Sequence, residues 1–179
     1  MSTFAIIILA VTAVSLLLAA IVYALKLRAE QRYPPVGEFL EYDGVRLHYL
    51  QSGPIDRPVV VLLHGNGTLI QDFMLSGVLD LLARRYHVLC FDRPGFGYST
   101  RPRLRFWTPE AQADLIAGAL RRLGVESALV VGHSWGALVA LAMAIRAPDL
   151  VRSLVLVSGY YFPTPRKDVW LMSGPAYIQ

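Results

Sequence analysis

The chain of 179 residues has one cysteine, Cys90, so it cannot form an internal disulfide. Cys90 lies in an apolar stretch, which favours a buried, inert thiol over a reactive one. Charge is also sparse, with 17% charged residues and a net charge of +4. The one local basic cluster, Arg101, Arg103 and Arg105, reads as a solvated loop, and no aromatic-interleaved basic face predicts a nucleic-acid partner.

Charge is absent altogether from residues 4–25, where Thr12 and Ser15 are the only polar side chains. A helix over this run would be roughly 33 Å long, enough to cross the hydrocarbon core of a bilayer. A cleaved signal peptide would have a basic beginning, a shorter apolar stretch and a small-residue cleavage site, none of which is evident. A buried core helix would not stay apolar on every face. The run therefore predicts a single-pass anchor in contact with membrane lipid.

The residues that follow the apolar run suggest an orientation and a domain boundary. Lys26, Arg28 and Arg32 come directly after it, so the positive-inside rule places the bulk of the chain in the cytoplasm. Residues 26–37 are interpreted as a polar linker that ends around two prolines. The expected organisation is an anchor at 1–25, this linker, and a partial globular domain at 38–179.

From residue 38 onward, short apolar runs alternate with segments of helical spacing. The apolar runs predict strands at 39–42, 45–51, 59–63, 86–91, 128–131 and 154–157. The spacing predicts helices at 69–85, 109–123 and 135–146. Asp43-Gly44 favours a tight hairpin between the first two strands. The fold class is therefore α/β, with a mostly parallel sheet covered by helices on both faces.

The strongest chemical motif is Gly132-His133-Ser134-Trp135-Gly136, between a buried strand and an apolar helix. G-x-S-x-G alone is common by chance, but in a strand-turn-helix setting it predicts a nucleophile elbow. Such a turn is tight enough to strain the serine backbone and to expose its hydroxyl near the helix N-terminus. The simpler alternative is an ordinary turn with an idle serine.

Two further loops follow strands at the same edge of the predicted sheet. His64-Gly65-Asn66-Gly67 is a small turn that could aim a backbone N–H at a developing oxyanion, with the Trp135 N–H as the second donor. The segment 92–99, with sequence DRPGFGYS, follows the strand at 86–91. Asp92 precedes Ser134 in the chain, so we interpret it as a brace for its loop.

The order of strand, HGNG, helix, strand, DRPGFGYS, helix, strand, GHSWG resembles the α/β-hydrolase superfamily over residues 39–158. It most resembles the cofactor-independent esterases, C–C bond hydrolases and haloperoxidase-like enzymes. The resemblance implies that Ser134 is the nucleophile, that the Asn66 and Trp135 amides form the oxyanion hole, and that neither cofactor nor metal takes part. Serine at the elbow, in place of aspartate, argues against the dehalogenase and epoxide hydrolase branches.

The rest of a catalytic triad is not evident. In the resembling family the acid and then a histidine follow the serine, but here no histidine follows Ser134 and the only later carboxylates are Asp149 and Asp168. His48, His64, His87 and His133 are all expected to be structural. The aromatic residues from about 160 onward, including Trp170, look like the start of a lid over residues 160–179. We therefore expect the chain to be a fragment or a truncated gene product.

Two functions remain open from the sequence. The first is a membrane-anchored serine hydrolase of a carboxylic ester or related acyl compound, with an apolar small-molecule substrate, active only in a complete form. The alternative is a truncated, catalytically inactive membrane protein with at most a binding role. A base supplied by a second chain is a third option that no feature of the sequence favours.

Overall fold

The structure is a computed structural model that describes residues 2–162. It divides into two compact units, Met1–Val36 and Gly37–Gln179, each of which is described by itself. The predicted Asp168 and Trp170, and all but the first residues of the expected lid, lie outside the described residues.

The first unit contains a single long helix, α1 (Thr3–Arg32), which begins where the Ser2 hydroxyl accepts a hydrogen bond from the Ala5 N–H. None of its residues is buried, and its most apolar window has a mean hydropathy of 3.0. Within residues 2–162 it is the one helix long and apolar enough to cross a membrane, judged by length and composition alone. The helix continues through the first part of the expected linker and ends before Pro34, because proline has no N–H to extend it.

The second unit is built on one six-stranded sheet. Its strands are β1 (Glu38–Tyr42), β2 (Val45–Ser52), β3 (Val59–Leu63), β4 (His87–Phe91), β5 (Ala128–His133) and β6 (Val151–Val157). Their spatial order is β1-β2-β4-β3-β5-β6. β1 and β2 form the predicted hairpin and β2 also runs antiparallel to β4, whereas β4, β3, β5 and β6 are all parallel. The mostly parallel sheet is as predicted.

Four helices connect the strands: α2 (Ile70–Leu75), α3 (Val78–Ala83), α4 (Pro109–Arg122) and α5 (Trp135–Arg146). The last two match the sequence prediction, and α4 begins at Thr108, whose hydroxyl accepts the Ala111 N–H. The prediction of a single helix over 69–85 is wrong, because the helix is interrupted between α2 and α3. Gly77 there has φ of 74°, a left-handed conformation that no α-helix continues through.

Alternate residues of the central strand face opposite sides of the sheet. Val61 and Leu63 belong to a core shared with α4 and α5, while Val60 and Leu62 pack in a second core with residues of α2 and α3. A parallel sheet covered on both faces requires this continuous apolar pattern. Cys90 lies fully buried in the second core, and burial raises the pKa of its thiol to about 12, as expected for an inert cysteine.

Candidate active site

Ser134 stands alone between a strand and a helix. β5 ends at His133 and α5 begins at Trp135, so one residue makes the whole turn. Its backbone has φ of 52° and ψ of −118°, a region that side chains other than glycine rarely adopt. Its N–H donates to the Val157 carbonyl over 2.8 Å, which ties the turn to β6. The residue is partly exposed, and within residues 2–162 its hydroxyl makes no hydrogen bond.

The flanking glycines make this tight turn possible by letting backbone segments approach closely. A Cβ on Gly136 would lie 2.5 Å from the His64 carbonyl oxygen, and a Cβ on Gly132 would lie 2.5 Å from the Ala137 Cα. Neither approach is possible for a real side chain without backbone displacement. Glycine is therefore required at positions 132 and 136 because α5 packs closely against the carboxyl ends of β3 and β5.

The loop 64–67 lies directly beside Ser134. A Cβ added to Gly65 would come within 3.0 Å of the Ser134 Cβ, so the two loops are in contact at the carboxyl edge of the sheet. Asn66, the next residue, is partly exposed, and Trp135 is the first residue of α5, with its side chain buried. The structure thus places Ser134 and Trp135 at the positive end of α5, with the loop that contains Asn66 beside them.

A buried arginine that sequence reasoning did not single out holds this loop in place. Arg93 has no exposed surface, and its guanidinium donates to the carbonyls of His64 and Gly65 over 2.8 and 2.9 Å. It also donates to the side-chain oxygens of Asn66, over 2.8 Å, and Gln112, over 2.9 Å. The signal available in the sequence was a charged side chain directly after a buried strand, where it must find polar partners.

Burial also determines the state of Arg93 and His64. Desolvation, with a smaller contribution from Arg101, lowers the pKa of Arg93 to about 9, so it remains charged at neutral pH. Burial and the charge of Arg93 lower the pKa of His64 to about 3, so its ring is neutral. The His64 Nε2 accepts a hydrogen bond from the backbone N–H of Arg93 over 2.9 Å. Its Nδ1 donates to the Gly65 carbonyl oxygen, which lies 2.7 Å away.

Asp92 braces the neighbouring loop, as interpreted from the sequence. Its carboxylate is fully buried and accepts the backbone N–H groups of Ile70 and Tyr98, over 3.0 and 3.2 Å. Its Oδ2 lies 2.7 Å from the Nδ1 of His48, which is also fully buried. One carboxylate therefore joins β2, β4, the loop that follows β4, and the start of α2.

Within residues 2–162, no hydrogen bond joins the Ser134 hydroxyl to any of the four histidines, including the adjacent and partly exposed His133. The rings of His48 and His64 are engaged as described, and His87 Nε2 pairs with the Gln51 side-chain oxygen over 3.2 Å. Asp149 is exposed and pairs with Arg121 over 2.8 Å. The same residues contain no group of three or more His, Cys, Asp or Glu side chains that could hold a metal ion.

Comparison with known proteins agrees with this architecture. A family model described as the alpha/beta hydrolase fold matches residues 58–175. The chain is 36% identical over 142 residues to a 2-hydroxymuconate semialdehyde hydrolase from Pseudomonas sp. strain CF600, covering 76% of this chain and 49% of that protein. It is 32% identical over 143 residues to a haloalkane dehalogenase from Mycolicibacterium paratuberculosis, covering 75% and 46%.

Among solved structures, a membrane phospholipase A described as a bacterial virulence factor superposes with a TM-score of 0.68 and 27% identity, covering 90% of this chain and 52% of that one. The chain spans about half or less of the length of the curated relatives named here. With the family model matching most of its globular unit, the chain belongs to the α/β-hydrolase fold family.

Proposed function

We propose that this chain carries the nucleophile and the oxyanion hole of a membrane-anchored serine hydrolase that acts on a carboxylic ester or related acyl compound. The observation that carries the proposal is the strained, partly exposed Ser134 beside the loop 64–67. Holding serine in this backbone conformation costs on the order of 1–3 kcal/mol, and residues strained in this way cluster at active sites.

In the proposed reaction, the Ser134 Oγ attacks the carbonyl carbon of the substrate and its proton passes to a base. The carbonyl oxygen becomes an oxyanion, which the N–H groups of Asn66 and Trp135 stabilise. The tetrahedral intermediate then expels the alcohol, which takes up the proton, and water releases the acyl group from the serine by the same steps. Each oxyanion donor typically contributes a 10²–10³-fold effect on rate, by order of magnitude.

The serine at the elbow favours acyl chemistry over dehalogenation. A dehalogenase is among the similar proteins, but displacement of a halide through an alkyl-enzyme ester requires a carboxylate nucleophile, and this elbow has a hydroxyl. A serine hydroxyl adds instead to an acyl carbon.

Two observations support the anchor. Helix α1 is apolar on all sides over residues 4–25, and none of its residues is buried within its own unit. Residues 37–179 make up about four fifths of the chain, so the 90% covered by the membrane phospholipase A structure must extend into the first 36 residues. Extraction of cell membranes with alkaline carbonate tests this part, since a spanning helix keeps the protein in the pellet.

Covalent labelling tests the nucleophile. A fluorophosphonate probe applied to the full-length gene product that contains residues 1–179 should label Ser134, and Ser134→Ala should lose the label. Ser153→Ala is the matched control, because Ser153 is an exposed serine on β6, and it should label normally. Retained labelling of Ser134→Ala would overturn the assignment.

A binding role without turnover is the second candidate. It is favoured by three of the four histidines, His48, His64 and His87, whose rings pair with groups other than Ser134. A protein that folds normally, does not react with the probe and does not hydrolyse short p-nitrophenyl esters would support this role. Measurable ester hydrolysis that depends on Ser134 would exclude it.

A further inference from the structure

We propose that the loop 101–107, here called the arginine loop, docks on the surface of a membrane that contains anionic phospholipid. This loop includes the basic cluster seen in the sequence, which the proposed reaction does not use. Leu104 is fully exposed and Phe106 is 82% exposed, and these two apolar side chains alternate with Arg103 and Arg105.

Leu104 and Phe106 are exposed although contacts within the unit hold their loop in place. At its end, Trp107 is buried in the main core and its indole N–H donates to the Pro102 carbonyl over 3.1 Å. Arg105 forms an ion pair with Asp43 in the hairpin turn and lies 4.8 Å from the centre of the Trp107 ring. The loop is therefore fixed at both ends while its two apolar side chains point away from the core.

The charge of the loop matches an anionic lipid surface. Residues 101–107 contain three arginines and no carboxylate. Asp43 neutralises Arg105, Arg101 is partly buried, and Arg103 is exposed. Guanidinium groups bind phosphate oxygens, and leucine and phenylalanine side chains enter the region between head groups and acyl chains.

The size of the patch favours a bilayer over a folded protein partner. A specific protein interface buries roughly 1,200 Å² or more in total, and two side chains at a loop tip supply only a small part of that area. A lipid interface requires no matching pocket, so two exposed apolar side chains beside the exposed Arg103 are sufficient.

The position of the loop in the chain adds to this argument. Within its unit the loop contacts the turn at Asp43, and only the five residues of β1 separate that turn from Gly37, where the chain enters the unit. Five extended residues span about 17 Å. This argument, unlike those from exposure and charge, rests on the proposed anchor, because a helix held in a bilayer would keep the loop at a high effective concentration near lipid.

Site-directed fluorescence tests the docking. Cys90 is fully buried, so single cysteines introduced at Leu104 or Phe106 can be labelled selectively with an environment-sensitive nitrobenzoxadiazole dye. The full chain is reconstituted in phosphatidylcholine vesicles with or without about a third phosphatidylglycerol. We expect a blue shift and quenching by a spin-labelled lipid at both positions, and more strongly with the anionic lipid.

The control label is at Ile55, which is 82% exposed and lies between β2 and β3, at the other end of the strands from the turn at Asp43. It should neither shift nor be quenched. Equal quenching at Leu104 and Ile55, or none at Leu104 and Phe106, would overturn the docking proposal. A shift that is unchanged by anionic lipid and appears only with an added protein partner would overturn it as well.

Arg103→Gln tests whether the positive charge of the loop contributes to docking. Arg122→Gln, at an exposed position of α4, is the matched control. Loss of one basic residue near an anionic surface should lower the ratio of docked to undocked loop about fivefold. Arg122→Gln should leave that ratio unchanged, and equal effects of the two variants would contradict the assignment.

A label at Val14 in α1 separates this inference from the proposed anchor. Quenching at Val14 without quenching in the arginine loop would overturn the docking and leave the anchor supported. Quenching in the loop without quenching at Val14 would support the docking and overturn the anchor.

Discussion

Arg93 donates a hydrogen bond to the side-chain oxygen of Asn66 over 2.8 Å, from a guanidinium that has no exposed surface. This bond joins the loop after β4 to the loop after β3, two segments that are 27 residues apart in the chain. The same guanidinium binds the two carbonyls that precede Asn66. The conformation of the loop beside Ser134 therefore depends on one cation.

Replacing Arg93 should be strongly destabilising. Arg93→Met removes the guanidinium that donates to the buried His64 carbonyl and Gln112 side-chain oxygen, and we expect a loss of about 3–5 kcal/mol in the free energy of unfolding. Arg93→Lys should lose less stability than Arg93→Met, because an ammonium can still reach some of the acceptors. Chemical denaturation in mild detergent measures the stability of both variants. Arg152→Met is the control, because Arg152 is exposed. A loss below about 1 kcal/mol for Arg93→Met would contradict the network.

Ser134→Gly should stabilise the fold although it removes the hydroxyl. At φ of 52° and ψ of −118°, glycine avoids strain that any other residue bears, and we expect a gain of about 1 kcal/mol. Ser134→Ala keeps the strained Cβ and should change stability little, so the comparison isolates the backbone effect. Equal unfolding free energies for the two variants would show that the turn is unstrained.

Gly136→Ala should prevent the elbow from packing. Its Cβ would lie 2.5 Å from the His64 carbonyl oxygen, and backbone cannot move aside as a flexible side chain can. We expect a loss of about 3 kcal/mol or failure to fold, measured by thermal unfolding and circular dichroism. At Gly124 nothing lies within 4 Å of a Cβ, so Gly124→Ala should cost only its left-handed conformation, about 1 kcal/mol.

His64 should make stability fall in mild acid. Its pKa is about 3 in the folded protein and about 6.5 when unfolded, so between these values the unfolded chain binds the additional proton. The free energy of unfolding then rises with pH in this window, by up to about 1.4 kcal/mol per pH unit, and this stability is lost as pH falls from 6.5 toward 3.

Denaturation curves from pH 4 to 6 check this slope. His64→Gln should flatten it, whereas the control His87→Gln, at a partly exposed position on the sheet, should leave it steep. Parallel slopes for the wild type and His64→Gln would place the proton uptake on another group.

The features that could be predicted from the sequence are those that depend on neighbouring residues. Apolar runs located every strand of the sheet within a few residues, and Thr108 correctly marked the start of α4. The elbow was recognisable because glycine, serine and glycine at fixed spacing permit a turn that few other sequences allow. The roles of Asn66 and Trp135 as oxyanion donors remain predictions.

Features that depend on distant partners were not predictable in this way. The break at Gly77 was missed because apolar spacing continues through it, while the glycine adopts a left-handed conformation that ends α2. The importance of Arg93 was missed because a charged residue near loops is usually solvated. Only the packed sheet shows that no water reaches it.

The sequence alone determined the α/β class, the strand-turn-serine-helix motif and the apolar helix before it, since each follows from short-range sterics and periodicity. Tertiary structure decided that β4 lies between β2 and β3, that a buried arginine links two loops, and that the arginine loop exposes Leu104 and Phe106. These depend on which side chains exclude water from one another, and that is settled only when segments distant in the chain pack together.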